Sequence, residues 1–193
     1  MKFLVISDTH DNLDVVKKVV NLSKEYDFLI HCGDYVSPFT IRKLVNCGKI
    51  YGVWGNNEGD KITIYKLISG TEFSIEFQPR EIELMEKPCL LIHGWGNVEK
   101  TRKMVYSIAK GGDWKIVFYG HTHIPELVLI KDGSINVLIR GLECVGKTYE
   151  FNLEEFDTLI LNPGESSGWL YGTRTAAEMY LDEGKIKVVF LKL

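Results

Sequence analysis

The first half of the chain alternates short apolar runs with segments of helical periodicity. The runs "KFLVIS", "DFLIHC" and "KIYGVWG" have the length and composition of buried strands. Apolar residues recur at helical spacing between Leu13 and Val20. The next intervening segment opens with Ser37 and Pro38 and stops at Gly48, which predicts a second helix. This βαβαβ pattern favours a parallel sheet with right-handed crossovers.

The periodicity changes at about residue 70. Apolar and polar residues alternate in segments 73–77 and 82–84, as they do in antiparallel strands with one face in water. No linker, internal repeat or low-complexity tract separates the two halves. The change is therefore predicted to mark a second sheet of the same domain.

The remainder of the chain is predicted to be largely β. Asn97 is expected to cap a helix that ends at Gly111, and the strand "WKIVFYG" follows it. The dipeptides Asp132-Gly133 and Glu183-Gly184 predict hairpin turns. We therefore expect an α/β fold in which residues 1–193 form a single domain, with two packed β-sheets flanked by helices.

The composition narrows the class of protein. Of the 193 residues, 45% are hydrophobic and 25% are charged, and the net charge is -3. These values describe a globular protein, and the mild acidity argues against an extended nucleic-acid partner. No apolar stretch approaches a membrane span of ~20 residues or a signal peptide, so we expect no membrane partner and a cytoplasmic location. The four cysteines form no C-x-x-C pair and are expected to be buried thiols.

Polar residues of the kinds that metals favour follow five of the predicted strands. In open α/β sheets, ligands bind at the carboxyl ends of strands. Residues at i and i+2 of an extended segment point to one face, so paired ligands at a strand end can share a cavity. The seven candidates are Asp8, His10, Asp34, Asn56, His93, His121 and His123.

A structural role is the alternative for any one of these residues. A lone histidine after a strand is often only hydrogen-bonded, and capping or loop roles remain open for Asp8 and Asp34. However, four of the five histidines fall into the pattern. We therefore expect a shared metal site, whose imidazole and oxygen donors suit Mn²⁺, Fe²⁺, Co²⁺, Ni²⁺ or Zn²⁺. The fifth histidine, His31, is expected to be structural, or else to support a ligand.

The five strand ends that carry these residues, taken in their order along the chain, form five sequence blocks. These blocks resemble the signature of the calcineurin-like metallophosphoesterases. The tripeptide "NPG" at residues 162–164 resembles a feature of the small bacterial and archaeal phosphodiesterase branch of that superfamily. The resemblance spans nearly the whole chain. It implies a four-layer α-β-β-α sandwich of two mixed sheets, with two metal ions at the C-terminal ends of strands.

The resemblance also distributes the ligands between two divalent ions, with Mn²⁺ as the first expectation. Asp34 would bridge them, and a metal-bridging hydroxide would be the nucleophile, with no catalytic residue beyond the metal ligands. The neutral Asn56 would leave positive charge for binding a phosphate ester. One ion would be held by Asp8, His10, Asp34 and His123, and the other by Asp34, Asn56, His93 and His121.

Asn57 departs from the pattern of the phosphomonoesterases of this superfamily, which carry a histidine at this position. Its amide can bind a phosphoryl oxygen but cannot protonate a leaving group, so acid catalysis of typically ~10²–10⁴-fold would be missing. We therefore expect a phosphodiesterase for small aryl or cyclic-nucleotide-like esters. The alternatives are a non-catalytic scaffold on the same fold and a phosphomonoesterase or nucleotide phosphatase. Glu58 is expected only to cap or orient its loop.

Several segments outside these blocks carry weaker expectations. The region 134–157 is predicted to form an extra hairpin over the cleft or a subunit contact, and "NPGESSG" is predicted to be a solvated turn. Trp169, Tyr171 and Arg174 are candidates for holding substrate, with core packing or surface exposure as the alternative. An exposed edge strand makes a homodimer or a higher homo-oligomer an open expectation.

Overall fold

A computed structural model describes residues 1–193 as two β-sheets packed face to face with helices outside them. The helices are α1 (Leu13–Leu22), α2 (Pro38–Leu44), α3 (Lys61–Ile68) and α4 (Val98–Gly111). The strands are β1 (Lys2–Ile6), β2 (Phe28–His31), β3 (Ile50–Val53), β4 (Phe73–Glu76), β5 (Arg80–Leu84), β6 (Lys87–Ile92), β7 (Ile116–Tyr119), β8 (Glu126–Lys131), β9 (Ser134–Arg140), β10 (Thr148–Asn152), β11 (Thr158–Asn162), β12 (Thr175–Leu181) and β13 (Lys185–Lys192).

The first sheet has the strand order β10-β13-β12-β1-β2-β3-β4. Strands β1 to β4 run parallel to one another, as the βαβαβ pattern predicts for the first three. β12 pairs with the other side of β1 and is antiparallel to it, with Lys2 opposite Tyr180. The sheet is therefore mixed, and its central strand β1 joins segments from distant parts of the chain.

The prediction that segment 73–77 opens an antiparallel sheet is wrong. β4 lies parallel to β3, and the second sheet begins only at Arg80. The cause is α3, a helix that the periodicity did not predict, since its β-branched stretch Ile62-Thr63-Ile64 has the composition of a strand. The helix begins where Asp60 accepts a hydrogen bond from the Thr63 backbone N–H (3.0 Å), and its burial of Ile64 and Ile68 outweighs the weak propensity.

The second sheet has the order β5-β6-β7-β11-β8-β9. β6, β7 and β11 are parallel, and the other pairs are antiparallel, so this sheet is also mixed. The turns at Asp132-Gly133 and Glu183-Gly184 connect β8 to β9 and β12 to β13, as predicted. α4 begins at its Asn97 cap, whose side chain accepts a hydrogen bond from the Lys100 N–H (2.9 Å).

Alternation along each strand builds the four layers. Phe3 and Val5 face the core between the sheets, whereas Leu4 and Ile6 pack against the helices on the other side. Helices α1, α2 and α3 cover the first sheet, and α4 covers the second. The expected α-β-β-α sandwich is confirmed. None of the helices combines the length and the apolar composition of a membrane span.

The region 134–157 does not form a separate hairpin over the cleft, so this first alternative is wrong, and the second, a subunit contact, stays a prediction. Its first part, β9, pairs with β8 at the edge of the second sheet. Its last part, β10, pairs with β13 at the edge of the first sheet. The segment therefore links the two sheets along one side of the sandwich, and Cys144 and Leu153 from it are buried in the core between them.

Candidate metal centre

The seven predicted residues follow the C-terminal ends of β1, β2, β3, β6 and β7, and the fold brings them together. In the first group, His10 Nε2 lies 3.5 Å from Asp34 Oδ2 and 3.3 Å from His123 Nε2. His123 Nε2 lies 3.2 Å from Asp8 Oδ1. One donor atom from each of these four residues lies within 4.8 Å of the others.

The second group is centred on the amide oxygen of Asn56. This Oδ1 lies 2.8 Å from His121 Nδ1 and 3.0 Å from His93 Nε2. His93 Nε2 is in turn 3.3 Å from Asp34 Oδ1. Asp34 thus presents Oδ2 to the first group and Oδ1 to the second, and the two groups share this carboxylate.

The donors of the first group fit a bound divalent ion. Asp8 Oδ1 is buried and has no hydrogen bond in the protein, an arrangement that is costly unless another charge meets that atom. The Nε2 atoms of His10 and His123 converge on the same region. Imidazole and carboxylate donors aimed at one point are the ligand set of a divalent transition metal.

The backbone at these strand ends is folded sharply. Five of the seven residues have left-handed φ angles between 41° and 65°: Asp8, His10, Asp34, His121 and His123. Such angles are uncommon outside glycine and cost energy, so their clustering here marks a functional site. The paired residues therefore share a cavity because of these turns, and not because the strands continue through them as the alternation argument assumed.

Glycines make room for this arrangement. A Cβ atom on Gly55 would overlap the Asp34 carboxylate, and one on Gly120 would overlap the Ser7 hydroxyl. A Cβ on Gly33, whose φ is 96°, would lie 2.7 Å from His93 Nδ1. The glycines beside the predicted ligands are thus explained by close packing, of Gly33 and Gly55 against ligands and of Gly120 against the neighbour of a ligand.

Hydrogen bonds fix which ring nitrogen faces the site. His93 Nδ1 lies 2.7 Å from the Cys32 carbonyl, which turns its Nε2 inward. His121 Nε2 lies 2.7 Å from the Gly96 carbonyl, which turns its Nδ1 inward. His123 Nδ1 donates to Glu165 Oε2 over 2.9 Å. Such outer partners are a regular feature of metal-binding histidines because they set the tautomer and the ring orientation.

Glu165 was not predicted from the sequence, and the solvated turn predicted for "NPGESSG" is wrong. Glu165, Ser166 and Ser167 are all buried. The backbone N–H groups of Ser166 and Ser167 donate to the carbonyls of Ser7 (2.9 Å) and Asp8 (3.1 Å). The sequence signal that could have located Glu165 was the apolar run "TLIL", which forms β11. Because β11 runs parallel to β7 and ends at the same edge of the sheet, the residues that follow it lie near the predicted ligands.

Burial and ion pairing act in opposite directions on the groups of the centre. Burial lowers the pKa of His93, but Asp34 and Asp8 outweigh this effect and raise it to about 9. Burial likewise lowers the pKa of His123, while Asp8 and Glu165 raise it to about 10. The pKa of Asp34 lies well below its ordinary value, because hydrogen bonding to His93 overcomes the effect of burial. The buried carboxylates therefore draw positive charge to this point of the fold.

The other singled-out residues lie around the centre. His31 is fully buried, its Nδ1 accepts from the Gly33 N–H (3.2 Å), and its Nε2 faces Thr9 Oγ1 (3.2 Å). Burial lowers the pKa of His31 to about 3, so this histidine is neutral. It is hydrogen-bonded to the loops that contain Thr9 and Gly33 and does not face the site. Glu58 accepts from the Tyr35 N–H (3.0 Å) and orients the loop after Asp34.

An α-β-β-α sandwich with aspartate and histidine side chains gathered at its strand ends is the architecture of the metal-dependent phosphoesterases. The profile of the calcineurin-like phosphoesterase superfamily domain matches residues 1–184. The chain belongs to this superfamily, as the motifs predicted.

Individual relatives agree with this assignment. The chain is 26% identical over 196 residues to the phosphodiesterase MJ0936 of Methanocaldococcus jannaschii, with 100% of both chains covered. A solved structure described as a novel archaeal phosphodiesterase has a TM-score of 0.72 at 26% identity, covering 99% of this chain and 100% of that one. The phosphoesterase YfcE of E. coli has a TM-score of 0.59 at 20% identity, over 95% and 89% of the two chains, and shows the fold alone. Family and fold support a metal-dependent phosphoric ester hydrolase.

Proposed function

We propose that the chain is a dinuclear metal-dependent phosphodiesterase that hydrolyses small phosphodiesters. The observation that carries the proposal is the position of Asp34, with Oδ2 3.5 Å from His10 Nε2 and Oδ1 3.3 Å from His93 Nε2. One carboxylate thus serves two donor groups. In this proposal Asp8, His10, Asp34 and His123 hold one ion, and Asp34, Asn56, His93 and His121 hold the other.

The donor chemistry favours Mn²⁺, Fe²⁺, Co²⁺, Ni²⁺ or Zn²⁺ over Mg²⁺ and Ca²⁺, which seldom bind several imidazoles. Mn²⁺ is the first ion to test. Two such ions would supply Lewis acidity at the phosphoryl group and a water molecule of lowered pKa. The carboxylates of Asp8 and Asp34 neutralise only part of their charge, and the neutral amide of Asn56 leaves the rest to attract a phosphate ester.

Asn57 would bind the phosphoryl group without acting as an acid. Its Nδ2 donates one hydrogen bond to Asp34 Oδ2 (2.7 Å), and the second N–H of this exposed amide is left for a phosphoryl oxygen. The remaining histidine, His31, is fully buried and faces Thr9. Neither Asn57 nor His31 is thus placed to protonate a poor leaving group, which favours diesters with good leaving groups over phosphomonoesters.

The test compares bis(p-nitrophenyl) phosphate with p-nitrophenyl phosphate, using chelator-stripped protein reloaded with Mn²⁺. We expect metal-restored hydrolysis of the diester, loss of that activity in His121→Ala, and retention in the control Trp95→Ala, which removes an exposed side chain two residues from His93. Faster hydrolysis of the monoester would overturn the substrate preference. No turnover with Mn²⁺, Co²⁺, Ni²⁺ or Zn²⁺ would favour the scaffold alternative.

A homodimer or higher oligomer remains part of the proposal. β9 lies at the edge of the second sheet and exposes Ile135 (39%) and Val137 (40%). A second copy covering this strand would shield both side chains and its unpaired backbone groups. Light scattering on purified protein tests this, and a monomer at all concentrations would contradict it.

A further inference from the structure

A cavity of about 310 Å³ opens beside the proposed metal centre. It is lined by His10, Val36, Asn57 and Trp169. His10 belongs to the first donor group, and Asn57 is hydrogen-bonded to Asp34. A phosphodiester bound at the centre would therefore reach into this cavity with one of its two ester groups.

The indole of Trp169 is held at this cavity while most of its surface stays open. Its ring lies 4.9 Å from the His10 ring, yet the residue is 68% exposed. The loop that carries it is fixed, since Glu165 accepts hydrogen bonds from the N–H groups of Leu170 (2.9 Å) and Tyr171 (2.6 Å). The backbone N–H of Trp169 donates to Ser167 Oγ (3.3 Å). A large aromatic surface is thus fastened next to the centre without being used for packing.

Val36 lines the same cavity in a strained conformation. Its φ is 79°, which is a genuine outlier for a β-branched residue. The carbonyl of Val36 accepts from the Gly59 N–H (3.0 Å), and the preceding Tyr35 N–H is held by Glu58 (3.0 Å). Strain of this kind persists where surrounding contacts enforce it and clusters at ligand-binding sites.

The lining specifies the chemistry of the group that fits. It offers an indole, an aliphatic side chain and the Asn57 amide, whose Oδ1 has no hydrogen bond within the protein, and it contains no lysine or arginine. The cavity therefore has no lysine or arginine side chain that could bind a second phosphate group. A flat, uncharged ring with N–H groups on its edge would stack on the indole and donate to the amide oxygen.

We propose that this cavity is a nucleoside subsite, in which Trp169 stacks on the base of a phosphodiester whose phosphate lies at the metal centre. This inference rests on the proposed function and adds to it the class of substrate. Of the three residues considered from the sequence, only Trp169 lines this cavity; Tyr171 lines a separate one with Pro125 and Leu142.

The test uses two esters that share the p-nitrophenolate leaving group, thymidine 5′-(p-nitrophenyl phosphate) and methyl p-nitrophenyl phosphate. For the Mn²⁺-loaded protein we expect kcat/KM to be about 10-fold higher for the thymidine ester, as one stacked base supplies. Trp169→Ala should bring this ratio close to one, and Trp169→Phe should keep most of it. The control Trp95→Ala removes another exposed indole and should leave the ratio unchanged.

A ratio near one in the wild type, or an unchanged ratio in Trp169→Ala, would overturn the subsite. Calorimetric binding of thymidine 5′-monophosphate and of methyl phosphate to the Mn²⁺-loaded protein gives a readout that needs no turnover. Tighter binding of the nucleotide that is lost in Trp169→Ala supports the subsite even if neither ester is hydrolysed, in which case only the proposed activity fails. Equal binding of the two phosphates overturns it.

Discussion

Replacement of Glu165 by glutamine changes the support of a single ligand in the proposed centre. The carboxylate accepts from His123 Nδ1 (2.9 Å) through Oε2 and from the Tyr171 N–H (2.6 Å) through Oε1. Every partner is a donor, and the side chain is fully buried. Glutamine has nearly the same shape but only one acceptor oxygen, so its NH₂ group must face either the imidazole N–H or the backbone N–H groups.

The magnitude follows from that mismatch. A hydrogen bond to a charged group is worth about 1.5–3 kcal/mol, and each 1.4 kcal/mol corresponds to a factor of about ten in affinity. We therefore expect Glu165→Gln to lower the affinity for one of the two ions by about 10–100-fold, the range found when outer partners of metal-binding histidines are replaced. The other ion, held in the proposal by His93 and His121, does not use His123 and should keep its affinity.

The assay is a competition titration of Mn²⁺ between the metal-free protein and a chromophoric chelator, which resolves one weakened and one unchanged step. Glu178→Gln is the matched control, because Glu178 is a partly buried carboxylate bound by Lys2 (3.0 Å) and Tyr26 (2.8 Å) with no contact to the centre. Two steps within twofold of the wild-type values in Glu165→Gln would refute the reasoning. Equal weakening in both variants would show a general effect on stability instead.

Three further predictions use other parts of the structure. Asn56→Asp should raise KM for a diester at full metal loading, because the added carboxylate repels the phosphate, and an unchanged KM would contradict the charge argument. Gly55→Ala should lower stability by about 1–3 kcal/mol in thermal unfolding, since its Cβ overlaps Asp34, and an unshifted transition would refute that overlap. The three buried thiols should resist labelling by Ellman's reagent at pH 8, where Cys89, with its pKa raised by burial to about 12, is almost entirely protonated. The expectation that all four cysteines are buried is wrong for Cys47, which is only half-buried, so rapid labelling of more than one thiol in the native protein would contradict the burial of Cys32, Cys89 and Cys144.

The sequence predicts most of the fold because strand and helix periods are local. The runs before Asp8 and after Lys115 are buried strands, and Asn97 caps its helix, as expected. α3 escaped prediction because Ile62 and Ile64 favour strands, and without that helix the direction of β4 could not be inferred. The course of 134–157 depends on which sheet edges are free, and no local pattern encodes that.

The metal ligands of the candidate site could be predicted because residues of metal-binding types recur at the ends of strands. All seven candidate side chains lie within the two donor groups around Asp34. Glu165 was missed because a lone glutamate among serines has the composition of a surface loop, and its burial depends on the distant carbonyls of Ser7 and Asp8. The role of Trp169 could not be decided for the same reason, since Val36, which lines the same cavity, comes from a distant part of the chain.

Because β1 lies between β2 and β12, parts of the first sheet can form only at different times during synthesis. One edge of β1 can pair with β2 early, but the other edge must wait for the strand that contains Tyr180. At ~5–20 residues per second on the ribosome, that strand follows β1 by roughly 10–35 s. During this interval Asp8 also lacks the backbone support of Ser167. The proposed metal centre is therefore completed only after β12 has been made, and metal capture by the nascent chain should follow the closing of the first sheet.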